Sequence, residues 1–310
     1  MVKVLLVGAG AVGVYFAGRL AAIGNFDVTV AARSDYDKVK VSGYAVKSIH
    51  GDFAWHPNVV KDAADFGGAA DYIIITTKAL PWVDVPALIR PAVGKHTVLV
   101  LIQNGIDGER ELMEVFPGNE IISGIAYIGV TRTAPGEILH EGGGRLTLGV
   151  YPAGASPALT TLCNGFMAAT GVECSATDDI ELMRWGKLLW NLAFNPMSVL
   201  ANGCDTQEMI ADPRLESTSF RIMKEVQATA RAWGKELSDE QLEHNMQYTR
   251  DFPAYKTSML QDFKNKRPLE TEAIVGNVVR RANAQNIPVP TIETIYALLH
   301  AADRMNRGEW

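Results

Sequence analysis

Apolar and polar residues alternate along the chain in two different ways. Before about residue 177, short apolar runs rich in β-branched residues alternate with helical stretches. The runs predict strands over Lys3–Val7, Asp27–Ala32, Tyr72–Thr77, Thr97–Gln103 and Ile121–Val130, and a hairpin over Gly136–Val150 that turns at Gly142–Gly144. Because strands separated by helical stretches are typical of βαβ units, we expect a parallel sheet covered by helices.

Beyond residue 177, apolar residues recur at helical spacing and strand-like runs almost disappear. The predicted helices cover Asp179–Ala201, Leu215–Gly234, Ser238–Asn245 and onward, Tyr255–Phe263, Leu269–Asn286 and Thr291–Met305. The predicted fold class is therefore α/β, with a Rossmann-type dinucleotide-binding domain over residues 1–178. An all-helical domain over residues 179–310 follows, and we expect it to carry substrate-binding and catalytic groups.

Composition narrows the class of protein. Of the 310 residues, 47% are hydrophobic, and the formal net charge of −6 argues against a nucleic-acid-binding protein, which would carry a basic surface. The cysteines Cys163, Cys174 and Cys204 have no CxxC spacing, which argues against a disulfide framework or a metal site. No run reaches the roughly 18 apolar residues of a membrane span, and the opening run is too short for a signal peptide. We therefore expect a cytoplasmic protein without a metal.

The clearest motif is GAGAVG, residues 8–13, which follows the first predicted strand and opens a helix. In that context, G-x-G-x-x-G predicts a dinucleotide site. Gly8 permits the tight turn, Gly10 lets a pyrophosphate approach the backbone, and Gly13 lets helix and strand pack closely. The helix N-terminus offers N–H groups and the positive end of its dipole to the phosphate. A tight turn without a ligand is the alternative.

The end of the second predicted strand bears on the choice of nicotinamide cofactor. Enzymes that use NAD usually carry an acidic residue there to accept from the ribose 2′-OH, whereas this chain has Ala31 and Ala32 followed by Arg33. A guanidinium pairs well with a 2′-phosphate, so the sequence favours NADP(H). The alternative is a surface arginine, with Asp35 reaching a 2′-OH.

Two further polar residues directly follow predicted strands. Lys78 comes after YIIITT and Asn104 after TVLVLIQ, at the carboxyl ends where open α/β sheets bind their ligands. Lys78 is suited to an acidic substrate or a cofactor ribose, and Asn104 to the nicotinamide ribose or the substrate. Each is also compatible with an ordinary loop residue.

The predicted helix over Asp179–Ala201 carries a polar row. Lys187, Asn191 and Asn195 are four residues apart, hence on one side of an otherwise apolar helix. A lysine there is costly unless it is paired or faces a wet cleft. Hydride transfer to a ketone creates an alkoxide, and a lysine whose pKa desolvation lowers from about 10.4 is suited to protonate it. A bridge to a core carboxylate is the alternative.

Two more candidates lie further along the chain. TSMLQDF places Ser258 and Asp262 on one helix face, and Glu270 is expected in the first turn of the next helix. The positive end of the helix dipole keeps a carboxylate ionised there, ready to accept from a substrate hydroxyl. A capping role is the alternative for Glu270, and Glu272 competes with it for the site.

The motifs GAGAVG, TTKA, QNG, WGKLLWNLAFNP, SMLQD and RRANAQNIPVP together resemble those of ketopantoate reductases (2-dehydropantoate 2-reductases) over nearly the whole chain. The resemblance implies NADPH-dependent reduction of 2-dehydropantoate to pantoate, on the route to coenzyme A, with Lys187 as general acid and Glu270 binding the substrate hydroxyl. It assigns substrate binding to Asn104, Asn191, Asn195 and Ser258. It assigns cofactor binding to Gly8, Ala9, Gly10, Ala11, Val12, Gly13, Arg33, Lys78 and Asn104.

Two positions depart from the family pattern. Val275 precedes Gly276 where the family often has asparagine, and Asp205 falls near an expected substrate-binding asparagine, with Asn202 close by. An acidic group there disfavours a carboxylate substrate by like-charge repulsion. The open alternatives are a reductase of another branched 2-oxo acid, a β-hydroxyacid dehydrogenase with the same Lys-x-x-x-Asn spacing, and a non-enzymatic NADP-binding redox sensor. A homodimer through the helical half is compatible with the sequence, as is a monomer.

Overall fold

The computed structural model describes residues 1–309, which form two compact units. The first unit consists of Met1–Lys78, Val83–Gln103 and Gly108–Ile180. The second consists of the described chain from Glu181 onward, together with Ala79–Trp82 and Asn104–Asp107. Two short segments from the N-terminal half of the sequence thus pack with the helical unit.

The first unit is built on a mixed sheet. The strands are β1 (Val2–Val7), β2 (Phe26–Ala31), β3 (Tyr44–Ser48), β4 (Phe53–Trp55), β5 (Asn58–Val60), β6 (Tyr72–Ile75), β7 (Val98–Leu101), β8 (Ile121–Ala134), β9 (Glu137–Val150) and β10 (Glu173–Ala176). Their order is β4-β3-β9-β8-β7-β6-β1-β2-β5, with β10 beside β9. The run from β8 to β5 is parallel throughout, which confirms the predicted α/β fold.

Helices cover both faces of this sheet. They are α1 (Ala11–Ala21), α2 (Tyr36–Ser42), α3 (Val85–Ile89), α4 (Gly108–Val115) and α5 (Pro157–Ala168), with 3₁₀ turns at Ala63–Phe66 and Arg90–Ala92. Along β1, Val4 and Leu6 pack in one apolar cluster with Phe16 of α1, and Leu5 and Val7 pack in a separate cluster. Burial on both faces is the reason why β1 is apolar at consecutive positions.

The hairpin predicted over Gly136–Val150 is wrong. β8 and β9 are antiparallel strands of 14 residues each, and the chain turns between Ala134 and Glu137. The three glycines at 142–144 lie inside β9, where the pairing register with β8 shifts. Gly143 and Gly144 have φ of 71° and 118°, so the glycine-rich run forms an irregularity within a strand instead of a turn.

The second unit is helical within the described residues. Its elements are α6 (Ile180–Leu200), α7 (Thr206–Ala211), α8 (Pro213–Ala232), α9 (Asp239–Asp251), α10 (Ser258–Lys264), a π-helical turn (Glu272–Gly276), α11 (Asn277–Ala284) and α12 (Pro290–Arg307). The predicted helices are confirmed with small differences at their ends, whereas α7 and the π-turn were not predicted.

The core of this unit forms around α6. Trp185, Leu189 and Phe194 of α6 are fully buried and pack in one cluster with Met223 and Val226 of α8. Among residues 1–309, none of the helices is both long enough and apolar enough to cross a bilayer.

Candidate active site

Two glycines of the GAGAVG turn are required by protein packing. Gly8 has φ of +102°, and a Cβ there would lie 2.3 Å from the backbone nitrogen of Thr77. A Cβ on Gly13 would lie 2.2 Å from Thr76 Oγ1 and 2.7 Å from the Gly8 carbonyl oxygen. These contacts bring the first turn of α1 against the carboxyl end of β6, as the motif predicts.

Gly10 is different, because the protein itself gives no reason for a glycine there. Its backbone is extended, with φ of −82° and ψ of −176°, and a Cβ would meet only the Gly8 carbonyl oxygen, at 4.0 Å. The first turn of α1 also carries no acidic residue and no side-chain cap. Open space beside helical N–H groups is what a closely approaching phosphate requires, so these residues fit a dinucleotide.

The alternative acidic partner for a cofactor ribose is already engaged. Arg33 follows β2 and is exposed, whereas Asp35 is buried and accepts hydrogen bonds from Arg132 Nη1 on both carboxylate oxygens, at 3.0 and 2.9 Å. Ser34 Oγ also donates to Asp35. This leaves Arg33 as the exposed charged side chain directly after β2, which favours a 2′-phosphate over a 2′-OH.

One residue near this position was missed from the sequence. β5 pairs with β2 in parallel and the Ala32 N–H donates to the Val60 carbonyl, so Lys61 follows β5 at the level of Ala32, the residue before Arg33. The Lys61 ammonium lies 5.2 Å from the ring centroid of Tyr36. A basic residue after the edge strand was visible in the sequence, but the three-residue strand β5 was too short to be recognised.

The polar row of α6 is present as predicted. Lys187, Asn191 and Asn195 lie on one continuous helix, with Asn191 and Asn195 buried and Lys187 partly buried. Asn195 Oδ1 is buried and accepts no hydrogen bond within the described part of the chain. An unsatisfied buried amide oxygen costs free energy, so this row fits a polar ligand better than a purely structural role.

A hydrogen-bonded chain joins three of the predicted residues in the helical unit. Lys187 Nζ donates to Asn104 Oδ1 at 3.0 Å, and Asn104 Nδ2 donates to Glu270 Oε2 at 3.2 Å. The other carboxylate oxygen of Glu270 accepts from the Ala79 N–H at 3.1 Å. Asn104 thus sets the separation of the ammonium and the carboxylate, which lie 83 residues apart in sequence.

The surroundings of Lys187 change its acidity. Burial, and then the positive charge of Arg184, lower the pKa of Lys187 from 10.5 to about 8, while the Glu270 carboxylate acts in the opposite direction. An ammonium with a pKa near the working pH is a better proton donor than an ordinary lysine.

Glu270 and Glu272 have separate partners. The carbonyl of Glu270 accepts from the Ile274 N–H, which places the residue at the start of the helical segment, and its side chain faces Asn104. Glu272 instead accepts from Tyr296 Oη at 2.6 Å and from Arg280 Nη1 at 2.7 Å. Of the two glutamates, Glu270 is therefore the one that is hydrogen-bonded to Asn104.

Ser258 and Lys78 are the other two predicted binding residues with polar side chains, and each belongs to a different unit. Ser258 is exposed at the first position of α10, whose cap Thr257 is bonded to Ser198 of α6 at 2.7 Å. Lys78 is partly buried and ends the first segment of the sheet unit.

The two departures from the family pattern have structural explanations. Val275 is fully buried in the core of the helical unit. Asp205 caps α7, where its carboxylate accepts from the N–H groups of Gln207 at 2.9 Å and Glu208 at 3.0 Å. Because that carboxylate is engaged by its own helix, the capping role accounts for Asp205.

The family model and the relatives that match this chain identify it as a nicotinamide-dependent oxidoreductase that acts on a CH–OH group, and the strand–glycine turn–helix segment fits that class. The chain belongs to the ketopantoate reductase family. The model "Ketopantoate reductase PanE/ApbA" matches residues 4–153, and the model of its C-terminal region matches residues 179–303.

Relatives cover nearly the whole chain. A crystal structure of 2-dehydropantoate 2-reductase from Methylococcus capsulatus is 42% identical, with a TM-score of 0.93 and coverage of 98% of both chains. That from Geobacter metallireducens is 32% identical, with a TM-score of 0.91, over 97% of this chain and 100% of the other. The 2-dehydropantoate 2-reductase of Nostoc sp. is 32% identical over 98% of this chain and 96% of its own.

Proposed function

We propose that this protein reduces 2-dehydropantoate to pantoate with NADPH, and that Lys187 is the general acid. The observation that carries the proposal is the chain Lys187–Asn104–Glu270, in which an ammonium with a pKa of about 8 is fixed through one amide to a carboxylate. The names of the relatives support the substrate.

Each residue has a defined chemical part. A bound nicotinamide dinucleotide supplies the hydride when the substrate carbonyl is reduced. Lys187 donates a proton to the carbonyl oxygen as that oxygen becomes a hydroxyl, and near pH 7 a group with a pKa of about 8 is mostly protonated. Its positive charge also stabilises the developing alkoxide.

Asn104 and Glu270 orient the reacting groups. Asn104 holds the ammonium by accepting from it, which restricts the directions of the remaining N–H bonds. The Glu270 carboxylate, already fixed by Ala79 and Asn104, accepts from the hydroxyl of 2-dehydropantoate. Asn191, Asn195 and Ser258 complete the set of substrate-binding residues, with the neutral amides suited to the substrate carboxylate.

Most of the proposed cofactor contacts belong to the first unit. The N–H groups at residues 8–13 bind the pyrophosphate, and Arg33 binds the 2′-phosphate of NADPH. Lys78 and Asn104 are the further cofactor contacts. The engagement of Asp35 by Arg132 is the observation that favours NADPH over NADH.

The test is NADPH oxidation by the purified protein with a panel of 2-oxo acids. We expect the highest kcat/KM for 2-dehydropantoate and a lower value for 2-oxoisovalerate, which is branched but lacks the hydroxyl that Glu270 accepts. A higher kcat/KM for 2-oxoisovalerate would overturn the substrate assignment. Tight NADPH binding with no turnover of any 2-oxo acid would indicate a redox sensor instead.

A further inference from the structure

The segment Asn104–Asp107, called the strap below, connects β7 to α4 in sequence but packs with the helical unit. Its first residue is Asn104, the amide between Lys187 and Glu270. The contacts that hold the strap in place therefore also set the distance between the Lys187 ammonium and the Glu270 carboxylate.

The far end of the strap is fixed by the π-turn and α11. The Ile106 N–H donates to the Ala273 carbonyl at 3.3 Å, and the Ile106 carbonyl accepts from Asn277 Nδ2 at 2.6 Å. Asp107 accepts from Arg281 Nε at 3.0 Å and Nη2 at 2.5 Å. These contacts account for Ile106 and Asp107, and Arg281 also pairs with Glu181 of α6 at 3.6 Å.

The near end is fixed by α6 itself. Arg184 Nη1 donates to the Gly105 carbonyl at 3.1 Å, directly after Asn104. Arg184 is only 6% exposed, and it precedes Lys187 by three residues, so the two cations are neighbours on one helix face. Because like charges repel, a second cation three residues away disfavours the protonated form of Lys187.

We propose that Arg184 is a positioning residue for the reduction: its guanidinium fixes the backbone of Asn104 through the Gly105 carbonyl and holds a permanent positive charge one helical turn from Lys187. The proposal rests on the proposed role of Lys187 as general acid. Arg184 acts through Asn104 and Lys187. It holds Asn104 where the amide accepts from Lys187, and its charge makes the Lys187 ammonium a stronger acid.

Two charged side chains and one neutral amide act on Lys187. Arg184 lies on its own helix, Glu270 lies on the segment before the π-turn, and the strap contributes the neutral Asn104. The carboxylate of the strap, Asp107, is paired with Arg281. Arg184 is therefore the charge whose removal raises the pKa of Lys187, and removal of Glu270 has the opposite effect.

The experiment separates position from charge with two variants. Arg184→Gln removes the charge and the guanidinium, and Arg184→Lys keeps the charge but loses the planar donor to Gly105. Arg221→Gln, an exposed arginine of α8 that donates to Thr218, is the control for loss of one arginine from the same unit. The direct readout is the titration of Lys187 by NMR of ¹³Cε-labelled lysine, assigned with Lys187→Met, and it needs no turnover.

For Arg184→Gln, we expect the midpoint of the Lys187 titration to rise by about one pH unit. The alkaline limb of the pH profile of kcat should move to higher pH by a similar amount. For Arg184→Lys, we expect a midpoint close to wild type with kcat lowered about 3–10-fold, because the strap is held less well. Arg221→Gln should leave both unchanged. An unchanged midpoint and kcat in Arg184→Gln would overturn the proposal.

Two further results are decisive in themselves. If Arg184→Gln does not fold, Arg184→Lys still tests the positioning role, and an unchanged kcat in that variant refutes it. If the wild type reduces no 2-oxo acid, the proposed function fails, whereas the NMR midpoints of wild type and Arg184→Gln still show whether Arg184 controls the acidity of Lys187.

Discussion

Replacing Gly105 by alanine is expected to damage stability and turnover together. Gly105 has φ of +87°, and a Cβ there would lie 2.2 Å from the Ala273 carbonyl oxygen and 2.6 Å from its carbon. The left-handed conformation alone costs an alanine about 1–2 kcal/mol. Relief of the clash requires a backbone shift, and overpacking of this kind costs about 1–3 kcal/mol more. We therefore expect Gly105→Ala to lower the free energy of unfolding by about 2–5 kcal/mol.

The matched control is Gly234→Ala in the same unit. Gly234 has φ of +74°, and nothing lies within 4 Å of a Cβ there, so this substitution carries the conformational cost without the clash. Urea unfolding of both variants can be followed by tryptophan fluorescence, to which Trp185, fully buried in the helical unit, contributes. The difference between the two variants, about 1–3 kcal/mol, measures the contact with Ala273.

The backbone shift that relieves the clash in Gly105→Ala must also move Asn104, which directly precedes Gly105 and accepts from Lys187. We expect Gly105→Ala to lower kcat by at least about tenfold while NADPH affinity is retained, whereas Gly234→Ala keeps the wild-type kcat. Equal losses of stability in the two variants, together with an unchanged kcat in Gly105→Ala, would refute the reasoning.

Three other predictions follow from single contacts. Arg33→Ala should weaken NADPH binding by about 10–100-fold and leave NADH binding nearly unchanged, as measured by quenching of protein fluorescence; equal losses would exclude a 2′-phosphate contact. Glu270→Ala should raise KM more for 2-dehydropantoate than for 2-oxoisovalerate, and a parallel rise would remove its proposed hydroxyl contact. His140 is buried between Ser48 and the Gly142 carbonyl, and burial lowers its pKa below 6.5. Because the unfolded chain then binds the proton more tightly than the folded protein does, the free energy of unfolding should fall as the pH drops below about 6.5. The slope of this free energy against pH should be shallower in His140→Gln, and equal slopes in the variant and the wild type would contradict the prediction.

Much of the fold could be predicted because its signals are local. The glycine turn after β1 and the four-residue spacing on α6 each lie within about 15 residues of sequence. Such patterns depend on backbone geometry and helix periodicity, which neighbouring residues determine. The same holds for the helix ends that proline and glycine mark.

The parts that could not be predicted depend on distant partners. Arg132 engages Asp35 across 97 residues, and Arg184 reaches the Gly105 carbonyl across 79. The glycines at 142–144 are typical of a turn, and only the pairing of β9 with β8 shows that they lie within a strand. The membership of Asn104 in the helical unit is likewise a tertiary fact, although the residue itself was identified as a candidate.

The role of Lys187 as proton donor is tested most directly by the kcat of Lys187→Ala with 2-dehydropantoate and saturating NADPH. We predict a fall of about 10²–10⁴-fold, with the Kd for NADPH within about twofold of wild type. A fall of less than about tenfold, or a loss of NADPH binding large enough to explain the lower rate, would contradict it.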